Sequence, residues 1–224
     1  MATSTVEQYI KTIYQEEERT RTPLVQMKRL SRAMEVTPGT ATSMVKHLAD
    51  NALVQYTPRK GVTLTSRGRK LALGMIRRHR LIETFLEQVL EYDWSDVHDD
   101  AERLEHAVSD TFVERLDKYL GFPDRDPHGD PIPSAELVMG KSGSIPLREC
   151  TVGRSFSVAR VKNAGRDRLA FMKEHRVVPG EQFVLDQKNE TAGTMTLRHH
   201  DSGESLTIGF DLGSSISVVA SEEK

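Results

Sequence analysis

The 224-residue sequence contains a single cysteine and no long apolar segment. Cys150 alone excludes an internal disulfide framework and is typical of a reducing compartment. The longest apolar runs, such as residues 71–76, are far shorter than the roughly 20 residues that a membrane-spanning helix needs. The N-terminus also lacks the apolar core of a signal peptide. We therefore expect a cytoplasmic protein that does not enter a membrane.

The small net charge of −2 conceals an uneven distribution along the chain. Residues 1–80 hold 15 Lys and Arg against 6 Asp and Glu, a net of +9. Residues 81–140 hold 4 against 16, a net of −12, and residues 141–224 hold 12 against 11, a net of +1. This distribution predicts a polyanionic partner for the first part and cations for the second.

The basic part has the periodicity of three helices, and a chain of this length suits two or three small domains. The first helix is predicted over residues 4–18 and the second over about 24–34. The second should bury Leu24, Met27, Leu30 and Ala33. After a short turn, Thr37 as N-cap and Pro38 in the first turn begin the third helix. It should bury Ala41, Met44, Val45 and Leu48.

Two short strands follow, over residues 53–56 and 61–65, around a basic tip at 58–61. A β-hairpin placed after a helix-turn-helix is a wing. Ser66 is predicted to cap a long helix that runs through Leu90, and a further helix is predicted over residues 97–120. The later helix carries an apolar stripe of Leu104, Val108, Phe112, Leu116 and Leu120. Burial against a second copy of the chain is the expected cover for this surface, and packing on a neighbouring domain is the alternative.

Proline, glycine and aspartate are frequent over residues 122–146, which predicts a linker around a short turn. Beyond it, five short segments alternate or run apolar, at residues 156–161, 182–185, 194–197, 205–208 and 215–220. These segments predict a small antiparallel β-barrel.

The third helix has the residues that a DNA-recognition helix needs. Small and polar groups that can approach base edges are Thr37, Gly39, Thr40, Thr42 and Ser43, with Pro38 as an apolar contact for a thymine methyl. Lys46, His47, Arg59 and Lys60 can reach phosphates from the helix and the wing. The competing interpretation is a solvated helical hairpin used for protein contacts, and the net charge of +9 argues against it.

The acidic part has histidine and carboxylate side chains at helical spacing. His79 and Glu83 are four residues apart and share one helix face, and Glu102, Glu105 and His106 repeat this spacing, with His98 just upstream. Such clusters suit Mn²⁺, Fe²⁺, Co²⁺ or Zn²⁺, and the lack of thiolates favours the harder ions. The alternatives are a hydrated surface, or an acidic patch relieved by an imidazolium. The remaining histidines, His128, His175, His199 and His200, are expected to be surface residues.

These residues, with segments 7–14 and 78–81, resemble the diphtheria toxin repressor family of iron- and manganese-dependent regulators. The resemblance spans residues 4–140, including segments 98–110 and 127–133, and residues 141–224 look like the family's SH3-like module. It implies a mostly α-helical N-terminal part followed by a small β-barrel. The implied domains are 1–65 for DNA binding, 66–140 for metal binding and dimerisation, and 141–224 for the SH3-like module.

The resemblance also implies two metal sites. The first uses the positions of His79, Glu83 and His98. The second uses Glu102, Glu105 and His106 with one residue of the first helix, here Gln8. Glu102 stands where iron-type members have cysteine, so Mn²⁺ is the leading cofactor, Fe²⁺ is next, and Co²⁺ or Zn²⁺ is expected in vitro. Two positions depart from the family pattern: Gln8 replaces methionine or aspartate, and Lys11 replaces a manganese-type carboxylate.

We therefore expect a homodimeric, metal-dependent repressor that binds a palindromic operator in double-stranded DNA and represses metal-uptake genes. It is not expected to be an enzyme. One alternative is a winged-helix regulator that responds to a non-metal effector. A metallohydrolase ranks lower, because the chain has no nucleophile motif and carries a basic helix-turn-helix beside the clusters.

Overall fold

A computed structural model describes residues 3–140, 143–162 and 165–220. The chain divides into two compact units. The first consists of the chain up to His79 with Leu104–Val108 and Pro133–Met139, and the second consists of Arg80–Arg103, Ser109–Ile132 and the chain from Gly140 onward. Among the described residues, no helix has the length and apolar character needed to cross a bilayer.

The first unit begins with three helices and a hairpin: α1 (Ser4–Thr20), α2 (Met27–Ala33), α3 (Pro38–Asp50), β1 (Val54–Thr57) and β2 (Gly61–Leu64). The antiparallel register pairs Val54 with Leu64. Apolar side chains from all five elements form the core, with Ile10, Ile13, Leu30, Val45, Leu48, Val54 and Val62 among them. The predicted helix-turn-helix and wing are thereby confirmed.

The start of α2 differs from its prediction. Val25 pairs with Val62 of the wing through two backbone hydrogen bonds of 2.9 Å, so the helix begins only at Met27. Leu24 is consequently 41% exposed, and its predicted burial is wrong. Ala33 is also exposed, because it lies on the outer face of the short helix.

The long helix α4 (Ser66–Gln88) begins close to its predicted residue, with a different cap. The amide of Gly68 donates to the Thr65 hydroxyl oxygen at 3.1 Å. Thr65 therefore caps the helix, and the prediction of Ser66 as the N-cap is wrong because Ser66 is already helical.

The second unit contains two further helices, α5 (Val97–Leu104) and α6 (Asp110–Tyr119). Leu104, the last residue of α5, belongs to the first unit. A single helix over residues 97–120 was predicted, and this is wrong. The Ser109 hydroxyl oxygen accepts from the amide of Phe112 at 3.2 Å, which starts a new helix after five intervening residues.

The rest of the second unit is an antiparallel sheet. Its strands are β3 (Ile145–Pro146), β4 (Ser155–Val161), β5 (Gln182–Asn189), β6 (Thr194–His199), β7 (Ser205–Gly209) and β8 (Ile216–Ala220), in the order β3-β8-β4-β5-β6-β7. Two short helices, α7 (Arg166–Glu174) and α8 (Phe210–Gly213), accompany it. The core beneath it includes Phe156, Phe183, Leu185, Leu197 and Val218. A small antiparallel β-barrel was predicted, and the described strands form a six-stranded antiparallel sheet with β3 and β7 at its two ends.

Part of the predicted linker is packed into the second unit. Asp126 and His128 are 7% and 3% exposed. The Trp94 indole N–H donates to the carbonyl oxygen of Pro127 at 2.9 Å. The backbone amide of Val161 donates to the carbonyl oxygen of His128 at 2.8 Å. The prediction of a linker is therefore wrong for this part of the segment, because its polar groups bond to the second unit.

Candidate nucleic-acid interface and metal centre

The N-terminal end of α3 presents the residues predicted to contact DNA. Thr37, Pro38, Gly39, Thr40, Ser43 and Lys46 are exposed, as are His47 and the wing residues Arg59 and Lys60. The Thr37 hydroxyl oxygen accepts from the amide of Thr40 at 3.2 Å and caps the helix. Thr42 is half-buried and its hydroxyl donates to the carbonyl oxygen of Pro38 at 2.7 Å. Exposed small side chains at a helix N-terminus leave room for base edges and phosphates.

A buried carboxylate that the sequence did not point to connects α1 with the wing. Glu17 is 5% exposed, and one of its oxygens accepts from the amide of Leu64 at 3.3 Å. Its other oxygen forms an ion pair with Arg69. Glu17 therefore joins α1 to the end of β2 and to the start of α4 within the first unit.

Glu105 is the centre of a buried ionic cluster in the first unit. Its side chain is fully buried, and its two oxygens lie 2.8 and 2.9 Å from the Lys11 ammonium. The Nδ1 atom of His79 lies 2.7 Å from Oε2 of Glu105. The Lys11 ammonium nitrogen also lies 3.3 Å from this Nδ1 atom, so Lys11, His79 and Glu105 meet at one buried point.

His106 lies beside this cluster and contacts α1. Its Nδ1 donates to Oε2 of Glu7 at 2.8 Å, and its Nε2 is 3.5 Å from Oε1 of Glu105. The sequence analysis did not single out Glu7 as a site residue. The helical spacing predicted for Glu105 and His106 does not apply, because α5 ends at Leu104 and both residues lie in the turn that follows.

In the second unit, His98 lies between two carboxylates. Its Nδ1 is 3.1 Å from Oε1 of Glu83, and its Nε2 is 3.3 Å from Oε2 of Glu102. Burial lowers the pKa of His98, but the hydrogen bonds that its ring donates to Glu102 and Glu83 outweigh this effect and raise that pKa to about 9. A cation at this position would replace the proton on the ring.

Glu83 also belongs to a buried group with Asp126 and His128. Each of the three offers one ligand atom, and these atoms lie within 4.8 Å of one another. The Nε2 of His128 is 3.1 Å from the carbonyl oxygen of Trp94. This oxygen can only accept, so Nε2 carries the proton and Nδ1 is left with a lone pair for a metal.

The electrostatics of this group favour a bound cation. Burial raises the pKa of Asp126 well above its ordinary value, and the charges of Asp130 and Glu83 raise it further. Arg80 opposes the rise, with its Nε 3.6 Å from Asp126 Oδ2. Meanwhile Oδ1 of Asp126 accepts backbone hydrogen bonds from His128 and Asp130, both at 2.9 Å, and these fix its orientation. Carboxylates crowded in this way are stabilised by a divalent ion.

The predicted metal residues have the following partners within each unit. Glu83, His98 and Glu102 lie together, whereas Glu105 bonds to His79 and Lys11. Gln8 is half-buried on α1.

Two of the four histidines predicted at the surface are buried, so the prediction is wrong for His128 and His199. His199 Nε2 lies 2.9 Å from Glu181 and its Nδ1 accepts from the amide of Ser202 at 3.1 Å, so both nitrogens already have partners in the fold. His175 and His200 are exposed, as predicted.

A winged helix-turn-helix and a buried carboxylate–imidazole cluster in one chain define a metal-responsive DNA-binding regulator. Residues 1–62 match the N-terminal DNA-binding domain of iron-dependent repressors, and residues 65–134 match their metal-binding and dimerisation domain. The chain belongs to the diphtheria toxin repressor family of metal-dependent transcriptional regulators. Both matched domains are repressor domains, so the chain is a regulator and not an enzyme.

Individual relatives agree with this assignment. The iron-dependent repressor IdeR of Mycobacterium tuberculosis is 28% identical over 226 residues, with 96% of each chain covered. The diphtheria toxin repressor of Corynebacterium diphtheriae is 37% identical over 139 residues, which are 62% of this chain and 61% of that repressor. A solved structure described as a manganese-dependent transcriptional repressor in complex with manganese is 35% identical, with a TM-score of 0.88 over 96% of this chain and 100% of its own.

Proposed function

We propose that this repressor senses Mn²⁺ through a site built around Glu83. The observation that carries the proposal is the buried group of Glu83, Asp126 and His128, whose ligand atoms lie within 4.8 Å of one another. His98 contacts Glu83 from another side at 3.1 Å.

The chemistry of these donors supports Mn²⁺ as the cation, with Fe²⁺ next and Co²⁺ or Zn²⁺ as substitutes in vitro. Imidazole nitrogens and carboxylate oxygens suit ions at the harder end of the first transition series. The one thiol of the sequence, Cys150, belongs to the core of the β domain. Bound Mn²⁺ would supply two positive charges beside Asp126, whose pKa is otherwise raised by burial and by neighbouring carboxylates.

We propose that the exposed N-terminal end of α3 reads base edges from the major groove. Lys46, Arg59 and Lys60 would neutralise phosphates beside it. A homodimer presents two such helices, and therefore fits a palindromic operator. We infer that the output is repression of metal-uptake genes when metal is sufficient, and that the repressor acts in the cytoplasm, where its DNA lies.

The test is binding of the purified protein to its own promoter region with Mn²⁺ and with a chelator. We expect Mn²⁺ to tighten a sequence-specific complex, and His128→Ala to remove this stimulation. His175→Ala is the matched control, because His175 is exposed. Affinity that ignores metal in the wild type contradicts the proposal and favours a non-metal effector.

A further inference from the structure

Two of the proposed Mn²⁺ ligands, Asp126 and His128, lie in one tight turn of the second unit. The amide of Asp126 donates to the carbonyl oxygen of Asp130 at 3.0 Å, and the amide of Gly129 donates to the carbonyl oxygen of Asp126 at 3.0 Å. We call residues 126–130 the ligand turn. It contains no helix or strand of its own, so its position depends on the elements against which it packs.

The end of strand β4 contacts the ligand turn directly. The amide of Val161 donates to the carbonyl oxygen of His128 at 2.8 Å. The preceding residue, Arg160, forms an ion pair with Asp130, whose Oδ1 lies 2.9 Å from the arginine Nε. Backbone and side chain of β4 therefore hold two residues of the ligand turn.

The strand is irregular at the point of contact. Its register against β8 shifts between Val158 and Arg160, which makes Ala159 the extra residue of a β-bulge. Gly129 has φ +84°, and a Cβ on it would collide with the carbonyl oxygen of Ala159. Glycine alone combines this backbone conformation with so close an approach, so the bulge and the ligand turn fit each other.

We propose that residues 159–161, the β4 platform, position Asp126 and His128 for the cation, so that the six-stranded sheet takes part in metal sensing. Oδ1 of Asp126 accepts from the amides of His128 and Asp130, so a displaced turn moves both ligands. Trp94, in the apolar core beneath the sheet, accepts from His128 through its carbonyl oxygen. This assignment rests on the proposed function, because it assumes that both side chains bind Mn²⁺.

The first experiment compares two glycines that have the same backbone conformation and different surroundings. Gly129 and Gly153 have φ +84° and +82°, so alanine strains the backbone at both, but a Cβ on Gly153 meets no atom within 4 Å. Both alanine variants should melt at lower temperature in chelator. Only Gly129→Ala should also weaken Mn²⁺ binding, by about 10- to 100-fold, the cost of losing a residue that orients a ligand. Calorimetric titrations that give the two variants equal Mn²⁺ affinities would overturn the inference.

The second experiment removes the Arg160 side chain and leaves the backbone of the ligand turn unchanged. Arg160→Met should weaken Mn²⁺ binding by about 10-fold, and Arg160→Lys, which keeps a cation for Asp130, should recover part of this loss. Removing a positive charge favours a nearby cation by itself, so the sign of the change separates positioning from charge. Arg198→Met is the matched control, because Arg198 forms a 2.8 Å ion pair with Asp186 in the same sheet. An unchanged or tighter affinity in Arg160→Met would contradict the assignment.

A metal-free measurement separates this inference from the proposed function. Trp94 is the only tryptophan of the sequence, its indole N–H donates to Pro127, and its ring packs on His128. In chelator, Gly129→Ala should therefore shift the Trp94 emission to longer wavelength, and Gly153→Ala should not. A wild-type protein that binds no Mn²⁺ contradicts the proposed function, and the emission then still decides whether the β4 platform positions the turn. If Gly129→Ala keeps the wild-type emission, the inference is wrong.

Discussion

The Nε2 atom of His128 donates its proton to the main-chain carbonyl of Trp94, across 3.1 Å. The two rings also pack together, with centroids 4.8 Å apart. The hydrogen bond selects the tautomer whose Nδ1 has a lone pair, and the ring packing fixes the orientation of the imidazole. His128 is thereby prepared as a metal ligand before any metal binds.

Replacing His128 with Ala should weaken Mn²⁺ binding by at least about 100-fold. Loss of a residue that only bonds to a ligand costs up to about 100-fold, and loss of a direct ligand should cost at least as much. The measurement is isothermal titration calorimetry on the apoprotein. His175→Ala, at an exposed histidine, should bind Mn²⁺ like the wild type. Equal affinities in the two variants would remove His128 from the site.

Mn²⁺ affinity should rise with pH up to about pH 9, because the metal must displace the proton of His98, whose pKa is raised to about 9. One displaced proton corresponds to a roughly tenfold gain in affinity per pH unit. The raised pKa of Asp126 acts in the same direction, since a carboxyl must also lose its proton to bind metal. Calorimetry in buffers of different ionisation enthalpy measures the protons released.

The stability of the metal-free protein should fall as pH rises. The folded pKa of His98 lies above its ordinary value of 6.5, so the stability that its imidazolium contributes is fully present below pH 6.5 and is lost as pH rises through about 9. Thermal melts in chelator across this window measure the loss. A pH-independent Mn²⁺ affinity between pH 7 and 9 would contradict the first expectation, and a melting temperature in chelator that does not fall over the same window would contradict the second.

Gly61→Ala should destabilise the first unit by about 1–3 kcal/mol, the cost of a strained backbone position. Gly61 has φ +150°, and a Cβ there would collide with the carbonyl oxygen of Val25. Gly74→Ala is the control, because a Cβ on this α4 glycine meets no atom within 4 Å. Chemical denaturation should show Gly74→Ala to be more stable than the wild type, by up to about 1 kcal/mol.

The sequence predicted best those features that depend on neighbouring residues. The helix-turn-helix follows from apolar spacing and from Thr37-Pro38, which caps α3 as expected. The strands of the β domain follow from alternation. The helix over residues 97–120 was wrong because no glycine or proline marks its interruption. Ser109 followed by Asp110 was the available signal, an N-cap with an acidic first-turn residue.

The candidate site was harder to predict because it depends on long-range packing. Asp126 and His128 lie in a proline-rich segment that is typical of a linker, and only their bonds to Trp94 and the neighbouring backbone bury them. The spacing of Glu102 and Glu105 in the sequence also predicted that the two side chains share one helix face. The structure assigns them different partners, since Lys11 approaches Glu105 from α1.

Phe112→Lys should weaken dimerisation by about 30-fold, which corresponds to the ~2 kcal/mol of an interface hot spot. Phe112 and Tyr119 are 45% and 69% exposed on α6 and lie two turns apart, on one face. They fall within the matched metal-binding and dimerisation domain. Sedimentation velocity measures the change. Val152→Lys is the control, because Val152 is 47% exposed and lies outside that domain.

Lys46→Ala should weaken binding to operator DNA and to unrelated DNA by similar factors. It should also lower the slope of log affinity against log salt concentration by about 1 for each phosphate that Lys46 neutralises. Lys46 is exposed on α3, and we expect its long cationic side chain to contact the phosphate backbone. Fluorescence anisotropy at several salt concentrations, with Mn²⁺ present, measures both quantities. Lys173→Ala removes a lysine of the β domain and should leave the slope unchanged. A Lys46→Ala protein that loses affinity for the operator alone would instead place Lys46 at a base edge.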